Sequence, residues 1–338
     1  MREAQRPLLK QDTRLLTLDA FTKEETMKRP AFLLIFALLL LSFNISQSED
    51  KNLKGNITLS GAWAIYPTAV EWASEFQKKY PEVKVDVSAG GAGKGAADAI
   101  AGLVDIGMVS RDPDPSEIQK GIIPIYVLHD AVYPIVSEKN PVLNELLKKG
   151  IKRSVWKDIY INSTMITWDK VAGSKTGKTL HVYTRSDSCG AAASWAKYVD
   201  NKKQEDLKGV GVYGDPGLIE AVKRDPIGIG YTNFGYVFDR QGAVLGGIKI
   251  VPIDVNNDGL ANPDEVFGKR EEAVKAIRES RYPATRKNYF FVKGKPQGLV
   301  KSFIEFILSD EGTQVVEKVG TSLPLLKEDR AKALKSIQ

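Results

Sequence analysis

The sequence predicts an α/β protein built on parallel strands, and three observations favour this class. Glycine-rich turns of small residues occur three times, each after a short apolar run and before a helical pattern. From Asn56 to about Asp105, strand and helix patterns alternate as βαβαβ, which favours a parallel sheet with right-handed crossovers. The chain has 338 residues, enough for about two domains, and 43% of them are hydrophobic, as in ordinary globular proteins.

The first predicted helix follows the first glycine-rich turn. Pro67 suits a helix start, where its missing N–H costs nothing, and Pro81 ends the helix. The spacing of apolar residues predicts one buried stripe along this helix, made of Val70, Ala73, Phe76 and Tyr80. The other elements predicted here are the strands Ile57–Leu59, Val83–Val87 and Asp105–Ser110, the helix Ala96–Leu103, and the extended segments Ile122–Val127 and Ala131–Val136.

The second half repeats the alternation and ends in helices. The two extended segments indicate a passage from one domain to another, and no internal repeat follows them. The elements predicted after them are the strands Leu180–Tyr183, Ile227–Tyr231, Ile248–Ile253 and Tyr289–Val292, and the helices Ala191–Val199, Glu271–Glu279, Leu299–Leu308 and Gly312–Val319.

The N-terminal segment has the pattern of an export signal. A basic start precedes the apolar run Ala31–Leu41, and Ser48 ends a small-residue site of the kind that a signal peptidase requires. We therefore expect a signal peptide over residues 27–48 and translation from Met27, with residues 1–26 an upstream extension. The alternative is an uncleaved anchor, although the apolar run is short for a membrane span.

Charge and cysteine content narrow the classes of function. Residues 49–338 carry 41 basic and 37 acidic side chains, a net charge of +4 without blocks of Lys or Arg. This balance suits a small anionic ligand and gives no support for nucleic-acid binding. Because Cys189 is the only cysteine, we expect an exported protein without disulfides and without a lipid anchor on cysteine. Its expected place is the periplasm or the outer face of the cytoplasmic membrane.

The three turns are of the kind that point free backbone N–H groups at an anion. They are SGAWAIYP from Ser60, SAGGAGKGAADAIAG from Ser88 and TRSDSCGAAASWAKYV from Thr184. The second turn lacks the first glycine and the magnesium-binding hydroxyl of a nucleotide loop, which argues against a nucleotide site. In the third turn, Arg185 supplies a planar donor fork, and Asp187 can brace that fork or accept a ligand's proton. A helix N-cap with a surface arginine is the plainer alternative.

Taken together, these segments resemble the PstS-type phosphate-binding family of ABC-transporter substrate-binding proteins. The resemblance covers nearly the whole chain after the signal segment and includes TWDKVAGSKTGKTLHVYTRSDSCGAA, IGIGYTNFGYV and FFVKGKPQGLVKSFIEFILSDEGTQVVEKVG besides the first two turns. It implies a type II periplasmic-binding-protein fold, in which two crossing strands join two α/β lobes around a ligand cleft. We expect residues 55–132 with 250–338 to form the first lobe and residues 133–249 the second, with a return crossing near Ile248–Ile253.

The resemblance also implies which residues hold the ligand. Carried over position by position, they are Ala62, Trp63, Ala64, Ala92, Gly93, Ser110, Arg111, Arg185, Asp187, Cys189, Gly190 and Ala191. Family members often have Ser or Thr at four of these positions, which are Ala62, Ala92, Cys189 and Ala191 here. Each missing neutral hydrogen bond costs roughly 1 kcal/mol, which a second arginine, Arg111, could offset. Selectivity for phosphate over sulfate, molybdate or tungstate therefore stays open, with Asp187 the obvious acceptor for a phosphate proton.

The resemblance implies capture rather than catalysis. We expect a monomer that binds phosphate and delivers it to an ABC permease, with no cofactor required. The alternatives are a receptor for another oxyanion and a non-transport phosphate sensor or surface module. An enzyme would need Cys189 at a helix start with His129 or His181 as its base, and no motif links either histidine to the cysteine.

One loop matches a calcium-binding pattern in full. It is D-x-[DN]-x-[DN]-G-x5-E, beginning at Asp254 and ending at Glu265. Oxygen ligands would come from Asp254, Asn256, Asp258, the Leu260 carbonyl and Glu265, with Asn262 acting directly or through water. The sequence therefore predicts a structural calcium site away from the cleft. An Asn/Asp/Gly turn between a strand and a helix is the alternative.

Overall fold

Strands and helices alternate along the chain, as the sequence predicts. The computed structural model describes residues 52–338, so the predicted start at Met27 and the signal segment 27–48 lie outside the described residues. The strands are β1 Gly55–Gly61, β2 Val83–Ala89, β3 Ile106–Val109, β4 Ile122–Ser137, β5 Ile151–Lys152, β6 His181–Arg185, β7 Val210–Val212, β8 Gly228–Asn233, β9 Ile248–Ile250, β10 Ile253–Asp254 and β11 Thr285–Lys293.

Thirteen α-helices of the described residues pack around these strands. They are α1 Tyr66–Lys79, α2 Ala92–Ala101, α3 Pro115–Gln119, α4 Leu143–Lys149, α5 Arg153–Tyr160, α6 Trp168–Ala172, α7 Gly190–Asp200, α8 Gly214–Arg224, α9 Phe234–Val237, α10 Arg270–Arg278, α11 Gly298–Ile307, α12 Asp310–Val319 and α13 Lys327–Ser336. Within residues 52–338, no helix has the length and apolar character needed to cross a membrane.

One mixed sheet of nine strands carries the fold. Its order is β2-β1-β3-β11-β4-β8-β6-β7, with β9 also paired to β4. The strands β2, β1 and β3 run parallel at one end, and β8, β6 and β7 run parallel at the other. The predicted α/β class with parallel strands is therefore confirmed.

The two halves of this sheet are joined by β4 and β11. β4 is one continuous strand where the sequence predicted two segments. β11 pairs antiparallel with it from Thr285↔Ala131 to Lys293↔Ile122. The return crossing is therefore β11, and the prediction of a return near Ile248–Ile253 is wrong, because those residues pair with the far end of β4 through Ile135↔Ile250.

A hydrophobic core lies on each side of the crossing strands, and we call the elements around each core a lobe. The first core draws its buried side chains from residues 57–128 and 290–337. The second core draws on residues 131–284 and on Leu323. The side chains just before residue 284 belong to the second core, since Tyr282 stacks on Tyr133 with ring centroids 4.4 Å apart. The predicted lobe boundaries stay a prediction. The buried side chains change from the second core to the first between residues 284 and 290.

The buried face of α1 differs from the predicted stripe. Val70 is 41% exposed, whereas Trp72 and Phe76 are buried. Trp72 Nε1 donates to the Gly312 carbonyl oxygen at 2.8 Å, which fixes the helix face that α1 turns toward α12. Val70 lies about 200° around the helix from Trp72. Because the aromatic residues Trp72 and Phe76 determine which face of α1 is buried, Val70 lies on the exposed face.

Candidate functional site

The three predicted turns lie at the carboxyl ends of parallel strands. β1 ends at Gly61, β2 at Ala89 and β6 at Arg185, and a helix begins soon after each. The turns are tightly packed, because a Cβ on Gly61 would lie 2.3 Å from the Met108 carbonyl oxygen. Small residues in these turns therefore let the helix N-termini approach one edge of the sheet.

Arg185 is buried and held by two carboxylates. Its Nε and Nη2 donate to Asp187 at 2.8 and 2.6 Å, and its Nη1 donates to Asp215 at 2.7 Å. Burial by itself would lower the pKa of Arg185, but Asp215 and Asp187 raise that pKa well above its ordinary value. The guanidinium is therefore a fixed, fully buried cation, braced by Asp187 as its spacing in the sequence indicates.

Asp215 is a site residue that the sequence analysis missed. It is fully buried and accepts four hydrogen bonds, one from Arg185, one from Thr232 Oγ1 and two from the backbone and side-chain nitrogens of Asn233. The sequence contained one signal for it. Asp215 follows β7 by three residues, at the start of α8, and the carboxyl ends of parallel strands converge where α/β proteins bind ligands.

Turns from the two lobes contact each other directly. The Gly93 N–H donates to the Ser188 carbonyl oxygen at 3.0 Å. A Cβ on Gly190 would lie 2.0 Å from the Ser110 carbonyl oxygen, and one on Gly91, whose φ is +93°, would lie 2.5 Å from that of Ser188. Real Cβ atoms do not approach this closely, so glycine is required at both positions. The predicted ligand residues of the second and third turns are thus brought together.

Several backbone N–H groups in these turns find no acceptor within residues 52–338. They belong to Trp63, Ala64, Ala92, Gly190 and Ala191. α2 begins at Ala92 and α7 at Gly190, and the first N–H groups of a helix have no partner inside it. Three turns therefore offer free donors, which is what an oxyanion requires of a binding site.

Trp63 packs between the lobes and carries a further free donor. Its ring lies edge-on to Tyr213 of the second lobe, with centroids 6.0 Å apart. Tyr236 Oη donates to its carbonyl oxygen at 3.0 Å. The indole Nε1 is buried and has no partner among the described residues.

Arg111 is engaged by a carboxylate of its own lobe. Its Nη1 and Nη2 donate to the two carboxylate oxygens of Glu117 at 2.9 and 2.6 Å. Burial would raise the pKa of Glu117, but Arg111 and a backbone N–H hold that pKa below its ordinary value. Arg111 is therefore a paired cation here.

A cavity of about 950 Å³ reaches Arg111 and the start of α7. It also reaches Arg286 on β11, so residues of both lobes and of the crossing strands line it. Its six basic side chains are Arg111, Lys197, Lys202, Lys203, Arg286 and Lys287, and its three acidic ones are Asp112, Asp114 and Glu205. The cavity is thus basic, although Arg185 and Asp187 do not line it.

Cys189 acts as the N-cap of α7. Its Sγ accepts the Ala192 N–H at 3.4 Å, and its own N–H donates to Gln204. Burial raises the pKa of the thiol to about 11. His129 instead contacts Tyr126, and His181 contacts Asp225. Within residues 52–338 the cysteine therefore has no histidine beside it and no activated thiolate.

The candidate calcium loop follows β10, in the second core. Asp254 Oδ2 accepts the Gly259 N–H at 2.9 Å, and the two oxygens of Glu265 accept the N–H groups of Val255 and Asn262 at 2.7 and 2.9 Å. The other carboxylate oxygen of Asp254 is buried and has no partner among the described residues. The loop is folded by its own carboxylates, and one buried oxygen is left free.

The exposed side of this loop is held by Asp258. It accepts the Leu260 N–H at 2.8 Å and the Asn256 side-chain N–H at 2.9 Å, and hydrogen bonds from Asn262 and Leu260 lower its pKa. No three or more His, Cys, Asp or Glu side chains within residues 52–338 are gathered as a metal site. A calcium ion would therefore have to draw the loop oxygens closer together.

Comparison with known proteins decides the family. Residues 46–311 match the family model described as the PBP superfamily domain. The chain belongs to this superfamily. It is 26% identical over 300 residues to the protein SphX of Synechococcus elongatus, covering 86% of this chain and 84% of that protein. It is 24% identical over 266 residues to the phosphate-binding protein PstS of Bacillus subtilis, covering 79% of each.

Solved structures of this superfamily have the same fold. A putative phosphate ABC transporter substrate-binding protein from Clostridium perfringens, solved with bound phosphate, has a TM-score of 0.66 at 24% identity, covering 80% of this chain and all of that one. An ABC-type phosphate transport receptor from Vibrio cholerae has a TM-score of 0.59 at 18% identity, covering 80% of this chain and all of that one. The predicted type II fold and the resemblance to PstS-type proteins are confirmed.

Proposed function

We propose that this protein captures phosphate where its two lobes meet and delivers it to an ABC permease, without covalent chemistry. One observation carries the proposal: three turns of the two lobes have free N–H groups, and one of these turns also carries the buried, fixed arginine Arg185. The names of the relatives and the phosphate-bound Clostridium structure support phosphate as the ligand. The proposed working form is a monomer outside the cytoplasmic membrane, without a lipid anchor on cysteine.

Asp187 is the residue that would distinguish phosphate from sulfate. Its Oδ1 accepts from Arg185 and from the Gly214 N–H at 3.1 Å, whereas its Oδ2 accepts, among the described residues, only from Arg185. A lone pair on Oδ2 is therefore left for the O–H of a hydrogenphosphate ion. Sulfate has no proton at neutral pH and would bring only its charge to this carboxylate.

The decisive experiment is isothermal titration with phosphate, sulfate, molybdate and tungstate at several pH values. We expect phosphate to bind most tightly and Arg185→Ala to abolish binding, because the fixed cation is lost. The variant also leaves Asp187 and Asp215 unpaired, which costs about 3–5 kcal/mol of stability, so its folding must be checked by circular dichroism. The exposed Arg224→Ala is the control and should bind normally. Normal binding by folded Arg185→Ala would contradict the proposal.

The same titration separates the alternative ligands. Alanine at positions 62, 92 and 191 removes hydroxyl donors that many family members have, which weakens any preference based on neutral hydrogen bonds. Tighter binding of sulfate, molybdate or tungstate would make the protein a receptor for that oxyanion. Normal phosphate uptake by cells that lack the gene would favour a sensor or surface module instead of a transport protein.

For the loop from Asp254 to Glu265, we infer a structural calcium site. The full match to the calcium pattern supports it, and so does the buried, unpartnered carboxylate oxygen of Asp254. A buried polar atom without a hydrogen-bond partner destabilises the folded protein, and a bound calcium ion would be a partner for this oxygen. The ligands would be Asp254, Asn256, Asp258, the Leu260 carbonyl and Glu265.

Calcium should therefore raise the melting temperature of the protein without changing its affinity for phosphate. The measurement is calorimetry in calcium and in a chelator, for the wild type and for Glu265→Gln. The neighbouring, exposed Asp264→Asn is the matched control and should keep the calcium effect. An equal melting temperature in calcium and chelator would make the loop an Asn/Asp/Gly turn only.

A further inference from the structure

Two buried polar side chains on β11 have atoms without partners. Asn288 is fully buried, and neither its Nδ2 nor its Oδ1 has a hydrogen-bond partner within residues 52–338. Arg286, two residues earlier, is 7% exposed, and its Nε and Nη1 also have no partner there. Native proteins rarely bury such groups unpaired, so a ligand or a water must satisfy them.

Asn288 lies at the contact between the lobes. β11 pairs with β3 up to Tyr289↔Val109, and Asn288 and Ser110 are the residues next to this last pair on the two strands. Ser110 is the residue with which a Cβ on Gly190 would clash. The amide of Asn288 is therefore on the strand that pairs with β3, next to the end of β3 from which Ser110 meets the third turn.

Arg286 is joined to the same place by hydrogen bonds. Its Nη2 donates to Asp130 at 2.6 Å and also to Asn233 Oδ1. Asn233 in turn donates to Asp215, which holds Arg185. One buried network thus fixes both guanidinium groups.

The side chains around Arg185 carry more negative than positive charge, so an anion bound there would be stabilised by a further cationic donor. Arg185 faces two carboxylates, Asp187 and Asp215, so these three side chains have a net negative formal charge. Arg111 is taken up by both oxygens of Glu117. Both arginines that the sequence indicates thus have carboxylate partners, so a further positive donor would strengthen the binding of an anion beside them.

We propose that Arg286 and Asn288 form the floor of the anion site and donate Nε, Nη1 and Nδ2 to the bound phosphate. This inference rests on the proposed function and assigns side-chain donors to a site whose hydroxyls are replaced at positions 62, 92 and 191. Among the described residues, Arg286 has one carboxylate partner, Asp130, and two of its nitrogen atoms have no partner and could donate to a ligand.

The test is titration of phosphate into Arg286→Lys and Asn288→Leu, with melting temperatures measured in phosphate-free buffer. Both variants should bind phosphate at least tenfold more weakly than the wild type. Leucine has nearly the shape of asparagine and no polar atoms, so Asn288→Leu should melt at an equal or higher temperature. The control is Arg330→Lys, an arginine of the first lobe that donates to Ser309, Thr313 and Asp310 and should keep full affinity.

Four outcomes would contradict this assignment of Arg286 and Asn288. A lower melting temperature with unchanged affinity in Asn288→Leu would overturn the inference and assign the amide a structural role, and so would loss of the fold. Unchanged affinity in both folded variants would overturn it while leaving phosphate capture intact. A wild type that binds no phosphate would overturn the proposed function, and this inference would fall with it.

Discussion

Cys189 is a residue whose position would suit a nucleophile but whose surroundings make it a structural group. It is buried, its Sγ accepts a helix N–H, and its thiol pKa is raised to about 11. At pH 8 the thiolate fraction is then roughly one in a thousand. Serine, which many family members have here, would make the same cap with a stronger acceptor.

We therefore expect Cys189→Ser to bind phosphate with equal or higher affinity. The variant should be as stable as the wild type or up to about 1 kcal/mol more stable, measured by urea unfolding. Iodoacetamide at pH 8 should leave the native thiol unlabelled and modify it once urea has unfolded the chain. Rapid labelling of the native protein, with loss of a hydrolytic activity, would restore the enzyme alternative.

The residues predicted for the site differ in how far sequence alone could reach them. Arg185 and Asp187 are two positions apart, so their pairing follows from local spacing. Asp215 and Asn233 join them only because separate strands of the sheet end at one edge. Arg286 comes from a strand whose partner was not predicted, and no local pattern distinguishes it from a surface arginine.

Among the elements, the N-terminus of α7 shows why close packing matters for binding. Gly190 begins this helix and lies against Ser110 of the other lobe. The alternation of strands and helices was predictable from the spacing of apolar residues, and most elements occur where that spacing placed them. The length of β4 and the pairing of β11 could not be predicted in this way, because both depend on pairing partners more than a hundred residues away in the sequence.

Gly190→Ala should weaken phosphate binding by at least tenfold while the protein still folds. Its new Cβ would lie 2.0 Å from the Ser110 carbonyl oxygen, so the turns could no longer meet. Gly246→Ala is the matched control, since a Cβ there has no atom within 4 Å and should change nothing. Titration of both variants measures the effect, and equal affinities would show that this contact is not needed for binding.

For the whole molecule, the crossing strands connect the two cores. β4 contributes buried residues to both cores, and β11 is hydrogen-bonded along it from one lobe to the other. A ligand held by turns of both lobes stabilises the native state as a unit. The sequence indicated two lobes but not where the cores change over, because the helix near residue 270 has no local feature that assigns it to either core.

Calorimetry should therefore show one unfolding transition that phosphate shifts as a whole. At a free phosphate concentration 100 times Kd, the added stability should be about 2.7 kcal/mol. Sulfate at the same concentration is the control and should shift the transition less. Two transitions, of which phosphate moves only one, would mean that the ligand contacts a single lobe.

The hydrogen bond from Gly93 to Ser188 bears on how fast the protein can load. While these two turns rest on each other, an anion cannot pass directly between them, and one that takes this route enters only when they part. The observed association rate would then level off at high phosphate, at the frequency with which the turns separate. For a receptor loaded by this route, separation of the turns and not diffusion would limit the rate of binding at high ligand concentration.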